Sequence, residues 1–188
     1  SAQNPILDAL KGQGNLDYLI TAPVSVNEMV APLQQALEEG TKIITVDTFL
    51  GDGDYINGPV TFPISYIGSD NVEGGRISCG AIADALGGAG KVYIQNTNPD
   101  VSSVMGRSQG CREVLDSYPD IEIVAEEFNE DVEAIGVQQT EAVLQLHPDL
   151  AAVFGVNVFS AQGAAEAVKN AGLGGEVEIV AYDATARA

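Results

Sequence analysis

Short apolar runs rich in Val and Ile recur along the chain at a regular beat, at Tyr18–Thr21, Lys42–Asp47, Ser65–Ile67, Lys91–Gln95, Glu122–Ala125, Ala152–Val156 and Glu178–Tyr182. Runs of this length and composition read as strands buried on both faces, as in parallel sheets. Between most of them lie patterns of helical period. Val26–Glu39 ends on Gly40, Asn71–Leu86 on Gly87-Gly88, and Ser160–Ala171 on Gly172, while Ser102–Tyr118 and Val132–Leu146 stop just before Pro119 and Pro148. Glycine just past a helix and proline beyond its end are stop signals. A further helical piece, Asn4–Gly12, precedes the first strand. Strand–helix alternation of this kind predicts an α/β fold built on doubly wound parallel sheets.

One connection breaks the beat. Between Asp47 and Ser65 no helix is signalled, only Gly51-Asp52-Gly53-Asp54-Tyr55-Ile56-Asn57-Gly58-Pro59, which is turn chemistry throughout. The stretch Ser65-Tyr66-Ile67-Gly68-Ser69-Asp70-Asn71-Val72-Glu73-Gly74-Gly75-Arg76 follows. It reads as a strand, a polar corner and a helix whose first free N–H groups Ser69, Asp70 or Asn71 can cap. Gly74 and Gly75 fall in that helix's first turn, at a cost of roughly 1 kcal/mol each, which predicts that another backbone or a ligand comes close there. We read this corner as a crossing between two lobes, residues 1–66 and 67–188. The second lobe then holds five strands and four helices. The first lacks an initial strand, so either the chain is a fragment or another segment completes that lobe.

Composition narrows the function. Acidic residues number 27 against 8 basic ones, a formal net charge of −19. A surface of that sign repels phosphate backbones and anionic lipid, which argues against a nucleic-acid partner and suits a neutral or cationic ligand. No apolar run approaches the roughly 18 residues needed to span a bilayer, so a soluble protein is expected. The N-terminus carries no basic segment followed by an apolar one, which leaves the compartment open because a mature secreted protein would also lack it. Cys79 and Cys111 form no metal-ligand spacing with each other or with a histidine. If the second lobe has the common doubly wound order, its first two helices lie on opposite faces of the sheet. Two buried free thiols are therefore expected.

In open α/β sheets ligands sit at the carboxyl ends of the strands. Those ends carry Asp47-Thr48, Arg107 one helical turn in, Glu130-Asp131, Asn157 and Asp183. Carboxylates accept hydroxyl protons, Arg donates in a fork and Asn does both, which together suit a polyhydroxyl ligand. Each residue also has an ordinary reading: Asp183 and Asp47 as caps of local N–H groups, Arg107 as a surface ion-pair partner, Asn157 as a turn residue. Catalytic motifs are poorly supported. His147, the sole histidine, stands at a helix end before Pro148 without a nearby nucleophile. Gly87-Gly88-Ala89-Gly90-Lys91 precedes a strand instead of following one, unlike a phosphate loop. The spacing of Asp52–Gly58 fails that of a calcium loop.

The run Tyr66-Ile67-Gly68-Ser69-Asp70-Asn71 with Gly74-Gly75 is similar to the interlobe corner of periplasmic sugar-binding proteins of the ribose-binding type, which feed ABC importers. Further similar runs follow in order: Ile43–Asp47, Arg107-Ser108-Gln109-Gly110, His147–Phe154 with Asn157, and Ile179–Thr185. The resemblance covers nearly all of the chain. It implies two type I lobes joined by three crossings that close on a sugar, the first lobe incomplete, with Ser69, Asp70 and Asn71 at the hinge. Asp47, Arg107, Asn157 and Asp183 match the family's sugar ligands, and Thr48 and Asp131 occupy neighbouring ligand positions. Thr48 stands where the ribose type commonly has Arg, Val158 where an acid is common, and Asp131 where an aromatic is common, with Phe128 close by; these departures point away from ribose itself. The resemblance also implies a monosaccharide or polyol ligand, a membrane ABC permease as partner, and neither cofactor, metal nor enzymatic activity. It places the protein in the periplasm or outside the cell, with a lipid anchor on a missing N-terminus left open. The rival reading on the same fold is the effector-binding half of a lactose-repressor-type transcription regulator.

Overall fold

The computed structural model describes residues 2–14 and 16–183. The final part of the run Ile179–Thr185, Ala184 and Thr185, lies outside the described residues. The elements are α1 (Asn4–Lys11), β1 (Tyr18–Thr21), α2 (Val30–Glu38), β2 (Lys42–Val46), β3 (Ser65–Ile67), α3 (Asn71–Ala85), β4 (Ala89–Asn96), α4 (Ser102–Leu115), β5 (Asp120–Phe128), α5 (Glu133–Leu146), β6 (Leu150–Gly155), α6 (Val158–Asn170) and β7 (Glu178–Ala181). No helix among them is long and apolar enough to cross a membrane. The chain is an α/β protein with two parallel sheets. It divides into two compact units. One runs to Ser69 and includes Asp100–Ser103; the other comprises Asp70–Pro99 and continues from Val104.

In the first unit β1, β2 and β3 form a parallel sheet in that order, with Ile44 opposite Ser65 and Val46 opposite Ile67. Its core gathers Leu7 from α1, Met29, Leu33 and Ala36 from and beside α2, Ile43 from β2, and Leu50 and Val60 from the loop that replaces a helix. The helical pattern from Val26 is realised only from Val30, because the Ser25 hydroxyl accepts from the N–H groups of Asn27 and Glu28 and holds a turn there. Beside the β1 edge, Tyr18 and Ile20 are 58% and 66% exposed. A shallow apolar groove, lined among others by Ile6, Leu10 and Ile20, adjoins them. In the loop, Asp52 and Asp54 spend their carboxylates on local N–H groups, of Asp54 and of Ile56 and Asn57 respectively, which is turn capping.

The second unit carries a four-stranded parallel sheet of order β5-β4-β6-β7. This differs from the five strands expected, because β3 pairs with β2 and belongs to the other sheet. Tyr93 and Val153 face a core built with Val143, Leu144, Ala164 and Val168 of α5 and α6. Side chains alternate along a strand, so Val92, Ile94, Ala152 and Phe154, all fully buried, face the other side.

The expected free thiols are a disulfide: Cys79 of α3 is bonded to Cys111 of α4. The expectation of opposite faces treated α3 as a crossover within the second sheet. Since β3 belongs to the first sheet, α3 enters from outside and the handedness rule does not place it. It packs on β6 and β7. The α4 crossover leads from β4 outward to β5, whereas α5 and α6 lead back across the sheet, so the rule does put α4 opposite α5 and α6, on the face α3 also covers.

Candidate functional site

Arg107 projects from the second turn of α4 and is 9% exposed. It is not the surface ion-pair partner that its sequence context would suggest. A buried guanidinium needs its donors satisfied, and the interactions here come from α3 and from the ends of β6 and β7, all in the second unit. Nε donates to Oδ1 of Asn71, in the first turn of α3, at 3.0 Å. Nη1 donates to the carbonyl of Val156, just past β6, at 2.8 Å, and lies 3.7 Å from Oδ2 of Asp183 beyond β7. The Tyr182 ring stacks against the guanidinium, with Cζ 3.7 Å from the ring centroid. Nη2 has no hydrogen-bond partner among the described residues.

The first turn of α3 is shaped around this arginine. Asp70 is the N-cap, its Oδ1 accepting from the N–H of Glu73 at 3.0 Å. A Cβ on Gly74 would run into the Tyr182 ring, and one on Gly75 into the Arg107 carbonyl. The reverse contact occurs on α4, where a Cβ on Gly110 would meet the Val72 carbonyl. The close approach foreseen at Gly74-Gly75 is therefore of backbone and ring together. Of the residues expected at the hinge, Ser69 ends the first unit and Asp70 and Asn71 begin the second.

Also in the second unit, Asn157 and Asp131 meet. Asn157 is the N-cap of α6; its side-chain oxygen accepts from the Ser160 N–H at 3.0 Å, and its Nδ2 donates to Oδ1 of Asp131 at 2.6 Å. Asn157 thus fills the cap role and still holds a carboxylate. Asp131 is exposed, and both it and Glu130 adopt left-handed backbone, φ 63° and 54°. The Asn129 side chain secures the turn by accepting from the Asp131 N–H at 2.9 Å.

In the first unit Asp47 repeats the pattern, with φ 60° and an exposed side chain. Its N–H donates to the Ile67 carbonyl at 3.0 Å and its own carbonyl accepts from the Tyr66 hydroxyl at 2.8 Å. Burial, and then the charge of Asp47, push the Tyr66 phenol above its ordinary range, so it stays protonated as a donor. Oδ2 of Asp47 accepts from Ser103 at 2.9 Å and from Thr48 at 3.2 Å. Thr48 is buried and aims its hydroxyl at Asp47. Non-glycine residues in left-handed backbone are uncommon and concentrate where the surroundings hold a side chain for use.

Behind Arg107, the same helix is anchored to the sheet through Glu126 of β5. Its carboxylate accepts from Ser108 and Asn96 at 2.7 Å and from Arg112 at 2.7 Å. Burial acts to raise the Glu126 pKa, but these three donors outweigh it and hold the group below the usual carboxylate range. Sequence reading placed Ser103 in the polar stretch after the fourth strand but missed Tyr182 and Glu126. Tyr182 adjoins Asp183 in the run that carries the resemblance, and that adjacency was the available signal. Nothing local marks Glu126, whose partners are 14 to 30 residues away, and the partner of Ser103 is 56 residues away.

Chemically, the second unit offers an exposed carboxylate at Asp131, a partly exposed one at Asp183 and a guanidinium arm, Nη2 of Arg107, unengaged among the described residues, while the first offers Asp47. Among the described residues no cluster of His, Cys, Asp or Glu could hold a metal ion. The family model described as periplasmic binding protein domain matches residues 1–188. The ribose import binding protein of Bacillus subtilis is 27% identical over 183 residues, covering 97% of this chain and 56% of its own length. The D-apiose import binding protein of Actinobacillus succinogenes is 30% identical, covering 89% of this chain and 55% of its own length. Among solved structures, an ABC transporter solute binding protein from Agrobacterium vitis, bound with α-D-tagatopyranose, superposes with a TM-score of 0.92 at 41% identity over 97% of this chain and 62% of that one. The chain spans about half the length of the curated relatives it matches. With the family model matched along its whole length, this chain belongs to the periplasmic binding protein domain family.

Proposed function

We propose that the protein is the solute-binding component of a carbohydrate ABC importer. It takes a monosaccharide or polyol and delivers it to a membrane permease from the periplasm or the cell exterior. The observation that carries this reading is Arg107: a buried guanidinium fixed on three sides, whose Nη2 has no partner among the described residues and would donate to a ligand. Asp47, Asn157, Asp131 and Asp183 supply acceptors and a further N–H donor for hydroxyl groups, and Thr48 orients Asp47. Hydrogen bonds that include a charged partner contribute about 1.5–3 kcal/mol each, enough to discriminate the configuration of a hydroxyl. Ser69, Asp70 and Asn71 serve as hinge for a closure that completes these bonds only around the bound solute. The relatives named above are import binding proteins, which does not favour the regulator reading.

Calorimetric titration of the full-length protein with a panel of pentoses, hexoses and polyols tests the proposal. Saturable binding of at least one member, abolished by Arg107→Ala, is expected. Absence of binding across the panel overturns it.

A further inference from the structure

We infer that Tyr182 is a positioning residue for the ligand arginine, and that Gly74 is glycine so that the Tyr182 ring can lie there. The inference rests on the sugar-binding reading above and adds a part of the site that the resemblance does not supply. An arginine side chain has several rotatable bonds, and two hydrogen bonds, from Nε and Nη1, still allow the plane to tilt. The ring face 3.7 Å from Cζ removes that freedom. The ring is in turn backed by Gly74, where a Cβ would displace it. Its main chain is pinned because the Tyr182 N–H donates to the Gly155 carbonyl at 3.1 Å, continuing the register of β7 on β6. Ring, guanidinium and the first turn of α3 therefore form one stack. A residue of α3 with no side chain sets the orientation of Nη2, and the glycine cost noted in that turn has its physical reason here.

The guanidinium meets Tyr182 through the ring face, so the face and not the hydroxyl should matter for the arginine. The test uses the full-length protein and whichever of D-ribose, D-allose or D-tagatose binds the unmodified protein most tightly by calorimetry. Tyr182→Leu should weaken binding about three- to thirtyfold, the range expected for loss of a partly desolvated cation–π contact. Tyr182→Phe should recover affinity to within about twofold. Gly74→Ala should weaken binding by a factor similar to Tyr182→Leu while Tyr182 is still present. In an Arg107→Lys background the further loss caused by Tyr182→Leu should largely vanish, a coupling that general destabilisation would not produce; thermal unfolding of each variant separates folding from binding. Equal affinity of Tyr182→Leu and the unmodified protein, or an undiminished loss in the Arg107→Lys background, overturns the inference. If none of the three sugars nor any other panel member binds the unmodified protein, it is the sugar-binding reading that fails.

Discussion

Cys79 and Cys111 are joined across α3 and α4 with their Cα atoms 4.9 Å apart at a sequence separation of 32. The bond ties the helix that begins at Asn71 to the helix that carries Arg107, two residues that also share a hydrogen bond. Closing a loop of this length restricts the unfolded chain by about 3 to 4 kcal/mol in the chain-entropy account. The double variant Cys79→Ser with Cys111→Ser is expected to unfold roughly 10 °C lower than the oxidised protein. Thermal scans with and without reductant check this, and the reductant should leave the double variant unmoved.

The two helices approach through glycine. Gly75→Ala and Gly110→Ala each set a methyl against a backbone carbonyl of the opposing helix, which cannot rotate away. Each should cost about 1–3 kcal/mol. Gly80 lies on the same helix as Gly75 but a Cβ there meets nothing within 4 Å. Gly80→Ala should therefore stabilise by about 0.5–1 kcal/mol. Urea midpoints of the three variants test the contrast, and a uniform response would refute it.

Asn157 does two jobs that substitution can separate. Asn157→Ala loses the α6 cap and should cost about 1 kcal/mol of stability. Asn157→Ser keeps a capping oxygen but cannot reach Asp131, so its stability should stay near that of the unmodified protein. Sugar affinity should fall in both. Paired unfolding and binding measurements distinguish the outcomes.

Glu126 should make stability depend on pH. Its folded pKa lies below the ordinary 4.5, so its contribution is present above that value and is lost as pH falls through the folded pKa. Unfolding temperatures of the unmodified protein and Glu126→Gln should differ most at neutral pH. They should converge as pH is lowered beneath about 4.5. A difference that does not change with pH would mean the carboxylate charge is not what the three donors hold.

The strand at Tyr18–Thr21 and that at Ser65–Ile67 were readable to the residue, because short runs of aromatic, Ile and Thr residues between turn residues have few other folded uses. The need for close approach at Gly74-Gly75 was readable as well, since glycine in a helical turn is costly without a neighbour to explain it. The identity of that neighbour was not: Tyr182 and Arg107 lie far along the chain. Arg107 as a candidate was legible from its place one turn into the helix that follows a strand end, but its burial was not, because a lone arginine among polar residues looks the same whether it faces solvent or a sheet.

The pattern along the chain by itself determined the alternation of strands and helices, the loop standing in for a helix between Asp47 and Ser65, the acidic surface and the resemblance that names the family. Those are properties of neighbours in sequence, where period and turn chemistry act. Tertiary structure alone decided which sheet β3 joined, and with it which face α3 covered and that Cys79 would meet Cys111. Strand partnership is settled by burial and register over many residues at once, and no single run of residues contains that sum.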